Sequence, residues 1–207
     1  MDEKFLASFD KPRVLLDERL IDKNIIRTIS ESTSKKRVYN SNLFSYLEEH
    51  PYTGIITGQT EEVIVKKYWK PYQRLRQRNQ QMIHEFDEML ERFLIVEHIK
   101  YPAFQESMKR VEDFFKELME EKKPIIVANR YRELIDSLEI SQSRIPAPDE
   151  KDKKCLAEAS VLVDKYKQML LASPSTLLTK PYVSNMIEEK LCFSSGDADY
   201  VLTKLSK

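Results

Sequence analysis

Three acidic residues stand at the edges of apolar runs that lie far apart in the chain. Asp17 ends the run Val14-Leu15-Leu16, Glu62 comes shortly after Gly54-Ile55-Ile56-Thr57-Gly58, and Asp152 opens the stretch Lys153-Lys154-Cys155-Leu156-Ala157-Glu158-Ala159. In an open parallel α/β sheet, ligands and chemistry collect outside the carboxyl ends of the strands. Acids delivered there from separate strands meet at one spot. Carboxylates without histidine or cysteine suit a hard, oxygen-loving cation, and Mg2+ or Mn2+ is the expected metal. Such an ion can polarise a bound oxyanion and lower the pKa of a bound water. Asp17, at the end of a rigid strand, is the expected central ligand, with Glu62 and Asp152 holding the ion directly or through waters. The plainer alternative makes these acids helix N-terminal residues that favour the helix dipole by about 0.3–1 kcal/mol each.

A basic stretch begins directly after Glu62. Between Val63 and His84 stand Lys66, Lys67, Lys70, Arg74, Arg76 and Arg78 with no acid among them, interleaved with Tyr68, Trp69 and Tyr72. Basic groups contact phosphates and aromatic faces stack on unpaired bases. A single nucleic-acid strand held there would run from the basic stretch to the acids. The alternative is a solvated helix face balanced by Glu85, Asp87, Glu88 and Glu91, with Trp69 in the core.

The elements that must position these residues are short strands alternating with helices. Arg13 to Asp17 reads as a buried strand, and Leu20, Ile21, Ile25, Ile26 and Ile29 follow with helical spacing. Ser30 to Lys36 is a polar loop. Residues 40–49 read as a helix with Leu43, Phe44 and Leu47 on one face, ended by Pro51, and Thr53 to Thr57 as a second strand. Thr60 is the expected cap of the next helix, with Glu61 and Glu62 in its first turn. The middle is helical: Pro71 to about Arg92, then Pro102 to about Glu121, with Phe93-Leu94-Ile95-Val96 and Pro124-Ile125-Ile126-Val127 as further strand candidates. Arg132 to Leu138 reads as helical and Ser141 to Pro148 as a loop. Asp149 or Asp152 caps a helix to about Tyr166, Met169 to Ala172 is a strand, and Pro181–Leu191 and Ala198–Leu205 are helices. This alternation predicts an α/β fold with a mostly parallel sheet.

Composition narrows the function. The 207 residues suffice for one large domain, 41% are hydrophobic, and Lys+Arg and Asp+Glu both number 34, so any electrostatic preference must come from local patches. Three glycines and no GxGxxG or Walker sequence argue against glycine-loop nucleotide binding. Cys155 and Cys192 belong to no CxxC pair and read as buried reduced thiols, suiting a cytoplasmic protein. No apolar run reaches membrane-spanning length, and the acidic start Met1-Asp2-Glu3-Lys4-Phe5 lacks a signal-peptide pattern. His50, His84 and His98 are scattered without zinc or di-iron spacing, and no serine sits in a nucleophile elbow.

Val14-Leu15-Leu16-Asp17-Glu18-Arg19-Leu20-Ile21 resembles the opening strand of a PIN domain, where an aspartate follows an apolar run and a Leu-Ile pair comes shortly after. Leu43-Phe44-Ser45-Tyr46-Leu47, Gly54-Ile55-Ile56-Thr57 and Glu61-Glu62-Val63 resemble its next helix, strand and glutamate-bearing helix. The stretch from Pro148 to Ala159 resembles the third acidic motif. The resemblance covers roughly 12–66 and 145–205 of the 207 residues, within a single PIN-like domain of three-layer α/β/α architecture. It leaves about 70–140 as a helical insertion or extended cap. It implies a metal-dependent endoribonuclease with Asp17, Glu62 and Asp152 as ligands, Glu61 competing with Glu62 and Asp149 with Asp152. One departure stands out. Where the family often carries a fourth acid, this chain has Ser173-Pro174-Ser175-Thr176. That motivates an alternative, a catalytically degenerate module binding RNA or protein, with the middle helices as a self-association or partner surface.

Overall fold

A computed structural model describes residues 12–21, 42–69, 76–132, 147–166 and 168–206. Strand β1 (Arg13–Leu16) is the middle of a five-stranded sheet whose order is β3-β2-β1-β4-β5. The others are β2 (Gly54–Thr57), β3 (Leu94–Glu97), β4 (Met169–Ala172) and β5 (Ser194–Gly196), and every neighbouring pair is parallel. Successive side chains on a strand point to opposite faces, and here both faces are covered. Val14, Leu16, Ile56, Leu94 and Ala172 enter one core, while Leu15, Ile55, Met169 and Leu171 enter the other. Each of the larger of these side chains, fully buried, favours the fold by roughly 1.5–3 kcal/mol.

The first core is closed by helices α1 (Asn42–Glu49), α2 (Gly58–Trp69), α3 (Arg76–Arg92) and α7 (Ala198–Leu205), through Leu43, Phe44, Leu47, Ile64, Met89 and Val201. The second is closed by α4 (Tyr101–Arg132), α5 (Glu150–Val163) and α6 (Pro181–Leu191), through Val111, Phe115, Leu118, Leu156, Ala159, Val183 and Ile187. The result is a three-layer α/β/α sandwich: the α/β fold with a parallel sheet that the alternation predicts, in the layering that the resemblance implies. The helical stretch expected over 70–140 is present in its described part, and it is built into the sandwich: β3 extends the sheet and α4 packs along α5.

Local chemistry sets the element ends. Gly54 opens β2 where an added Cβ would come within 2.6 Å of the end of the Leu94 side chain and 3.2 Å of that of Leu47, so a larger residue would push these leucines aside. The cap of α2 is Thr57, not the expected Thr60: the Thr60 amide donates to Thr57 Oγ1 at 3.2 Å. A strand-end threonine can reach the third amide of the helix that follows, whereas Thr60 already lies inside its first turn. Helix α4 continues through Pro124, so the expected strand at Pro124–Val127 is instead helix. A short apolar run does not by itself distinguish strand from helix. Helix α5 ends at Val163, short of Tyr166. The expected helix over Ile25–Ile29, the loop 30–36 and the helix 132–138 lie outside the described residues, apart from Arg132 at the end of α4. Among the described residues no helix is long and apolar enough to cross a membrane.

Candidate functional site

The strand order makes β1 and β4 neighbours with the rest of the sheet growing outward on either side. The crevice outside the carboxyl ends of such a pair is where open α/β sheets bind ligands. Asp17 follows β1 there, its amide donating to Ala172 O on β4 at 3.0 Å, and Ser173 follows β4. The Ser173 hydroxyl donates to Asp17 Oδ2 at 2.6 Å, so the two strand ends are joined by side chains as well as by backbone. Asp17 also begins a helical turn over 18–21: its Oδ1 accepts from the Arg19 amide at 2.8 Å and its carbonyl from Leu20 N at 2.9 Å.

Helix α5 brings the second pair of acids. Asp149 is its N-cap and accepts from Asp152 N at 2.6 Å, while Asp152 Oδ2 accepts from Asp149 N at 3.4 Å. This reciprocal capping box satisfies two helix-end donors, and it leaves Asp152 Oδ1 free to turn toward β1. Asp17 and Asp152 are 1% and 4% exposed, and Asp149 stays at the rim.

Arg19 occupies the middle of these acids. Its Nη2 contacts Asp17 Oδ2 at 2.6 Å, Asp152 Oδ1 at 2.9 Å and Ser173 Oγ at 3.4 Å, and Nη1 lies 3.5 Å from Asp149 Oδ2. Nε donates to both Asp17 oxygens at 3.0–3.1 Å. Burial pushes the Asp17 carboxyl up, but the bonds from Arg19 and Ser173 outweigh it and its pKa lies below the ordinary value. Burial likewise pulls the guanidinium down, and Asp17 and Asp152 more than reverse this. Glu18, beside them, is lowered against the pull of burial by Lys151 and Lys154, at 2.9 and 3.5 Å.

A further buried acid lies farther along α5. Glu158 is 3% exposed and accepts from Thr57 Oγ1, at the end of β2, at 2.7 Å. Burial pushes its carboxyl up to about 7, only partly offset by Lys154 at 3.9 Å and by Thr57, and the charges of Glu18 and Asp17 add to the rise. Between Asp152 and Glu158, the buried Cys155 thiol is pushed up by burial and by Asp17 and Glu158.

Of the residues expected from sequence, Asp17, Asp149 and Asp152 come together. Glu62 does not join them. Helix α2 buries Thr60 and Ile64, so Glu62 and Val63 face outward, and the 62% exposed Glu62 side chain pairs with Lys66 one turn on. The acid at the β2 end is Glu158, whose sequence signal is a lone carboxylate between Ala157 and Ala159 on a buried helix face. Arg19 went unseen because a cation two residues after an acid reads as surface. Lys66 and Lys67 are exposed on α2; Lys70, Tyr72 and Arg74 lie outside the described residues, and Arg76 and Arg78 are described by backbone alone. Cys155 is buried as expected, but Cys192 is exposed, ending α6 in the left-handed region at φ 63°.

Among the described residues no group of three histidine, cysteine, aspartate or glutamate side chains is arranged to hold a metal ion. The donor chemistry nevertheless suits a hard cation: two buried carboxylate oxygens and a hydroxyl converge on one positively charged nitrogen, Arg19 Nη2. Comparison with protein-family models, curated proteins and solved structures finds no match to this chain.

Proposed function

We propose that the chain is a PIN-like endoribonuclease dependent on Mg2+ or Mn2+, acting at Asp17 and Asp152. The observation that supports this reading is the meeting of Asp17, Asp152 and Ser173 outside the carboxyl ends of β1 and β4. Bound there, a divalent ion would polarise a phosphodiester and lower the pKa of the attacking water. The chain's own residues do the positioning. Ser173 fixes the rotamer of Asp17 through its 2.6 Å bond, and the capping box fixes Asp152 on α5. Asp149 stands at the rim as a third carboxylate. Glu158, held by Thr57 at 2.7 Å, ties α5 to the end of β2. Lys66 and Lys67, on the outward face of α2, are the described part of the basic stretch proposed to hold single-stranded RNA.

Cleavage of an end-labelled single-stranded RNA by wild type and Asp17→Asn, with Mn2+, with Mg2+ and with EDTA, tests the proposal. Cutting that needs metal and is lost in Asp17→Asn is the expected result. Equal cutting by both proteins, or none by either, rejects it.

A second reading is favoured by Arg19 and Ser173. The guanidinium already pairs with both Asp17 and Asp152, and a hydroxyl stands where a further acid would strengthen the site. On that reading the chain is a degenerate PIN-like module that binds RNA or protein without cutting, and RNA would be retained by wild type and Asp17→Asn alike.

A further inference from the structure

We propose that Arg19 is a resident counter-cation of the Asp17–Asp152 pair and that a divalent ion binds only by displacing it outward, so that Arg19 gates the site. The inference rests on the metal-binding reading above. Its first ground is position: Nη2 stands where Asp17 Oδ2, Asp152 Oδ1 and Ser173 Oγ converge, at 2.6, 2.9 and 3.4 Å. A guanidinium and a divalent cation repel each other, and these oxygens cannot serve both at once. The second ground is a path. The Arg19 side chain is 22% exposed, so one edge of it already meets solvent. The third is a place to go. Nη1 already lies 3.5 Å from Asp149 Oδ2, and the Asp149 side chain is 58% exposed at the rim. A modest swing keeps Arg19 paired with Asp149 while Asp17 and Asp152 become available. Its backbone does not need to follow, because the Arg19 amide is tied to Asp17 Oδ1 at 2.8 Å.

Gating of this kind lowers apparent affinity by the fraction of time the carboxylates are free of Arg19. Mn2+ alone is the probe, titrated by calorimetry into the full chain as wild type, Arg19→Gln and Arg19→Lys at neutral pH, with circular dichroism checking that each is folded. The expected result is binding about tenfold or more tighter in Arg19→Gln than in wild type, as for a competent state populated about a tenth of the time or less. Arg19→Lys keeps the charge but lacks the fork that reaches Asp17 and Asp152 together. It is expected to bind with intermediate affinity, and it carries the test if Arg19→Gln does not fold. Affinity equal to or weaker than wild type in the folded variants overturns the gate and leaves the metal reading standing. Mn2+ binding absent from every protein removes the metal reading and the gate with it.

Discussion

Asp17 at the end of β1 and Glu158 beside the end of β2 are nearly equally buried, 1% and 3% exposed, yet their carboxyls shift in opposite directions. Burial pushes both up. Asp17 answers with a guanidinium fork on both oxygens and a serine hydroxyl, and its pKa falls below the ordinary value. Glu158 has one threonine hydroxyl at 2.7 Å and a lysine at 3.9 Å, and it rises to about 7. Depth therefore does not decide charge at this edge of the sheet. The number and charge of donors does, and Arg19 is what separates a charged carboxylate from one that holds its proton near neutrality.

The strongest way to break that contrast is Arg19→Gln. Two buried carboxylates then lack their cation, at a loss of about 3 kcal/mol, the lower end for a broken buried pair because the guanidinium keeps one edge in solvent. Asp17 would now behave like Glu158. The loss shrinks as pH falls from 7 toward 5, because the stranded carboxylates take up protons. Denaturant midpoints at both pH values measure this, and a loss independent of pH would show that Arg19 acts by packing alone.

A smaller effect belongs to Glu158. Its folded pKa, about 7, lies above the ordinary value of 4.5. The folded state therefore holds more protons between these values, so stability falls as pH rises through that window and levels off above it. Asp17 has the opposite sign: its contribution is present above 3.8 and is lost as pH falls through its lower folded value. Glu158→Gln keeps an acceptor for Thr57 and removes the charge. The variant is expected to lose the decline between pH 4.5 and 7 and to exceed wild type by on the order of 2 kcal/mol at pH 8. A wild-type profile with no decline in that window contradicts the assignment.

The smallest effect is expected at Glu62, which shares neither region. Its partner Lys66 and its own side chain are both more than half exposed, and surface pairs contribute little. Glu62→Gln should leave both the thermal midpoint and metal-dependent RNA cleavage at the wild-type level. Cleavage lost in Glu62→Gln would return it to the site.

These residues also mark how far the sequence could be read. β1, β2 and β4 were legible because each is an apolar run cut short by Asp17, Thr57-Gly58 or Ser173-Pro174. β5 was not: Ser194-Ser195-Gly196 has no apolar side chain and becomes a strand by pairing with Leu170–Ala172. At the site, Asp17, Asp149 and Asp152 were legible from strand-end and helix-cap chemistry. Glu62 was misplaced because an acid early in a helix reads the same whichever way the helix is rotated against its sheet. Only the packing of Thr60 and Ile64 sets that rotation. Arg19 and Glu158 derive their roles from neighbours more than a hundred residues away in sequence, Asp152 and Thr57 respectively, which local pattern does not reach.

The pairing of β1 with β4 has a consequence for how the chain comes to fold. Asp17 and Ser173, which join the two strands, are 156 residues apart in sequence. β1 and β2, in contrast, pair across the much shorter stretch of sequence from Leu16 to Gly54. Contacts between distant segments cost loop-closure entropy before they give any stabilisation, and they slow folding. During synthesis β1 can dock on β2 while its other edge waits for the last third of the chain. Until then Asp17 has no Ser173 and Asp152 has no fixed helix to stand on. The acidic centre is therefore a product of the final stage of folding, and a nascent chain carries the residues of the site without the site.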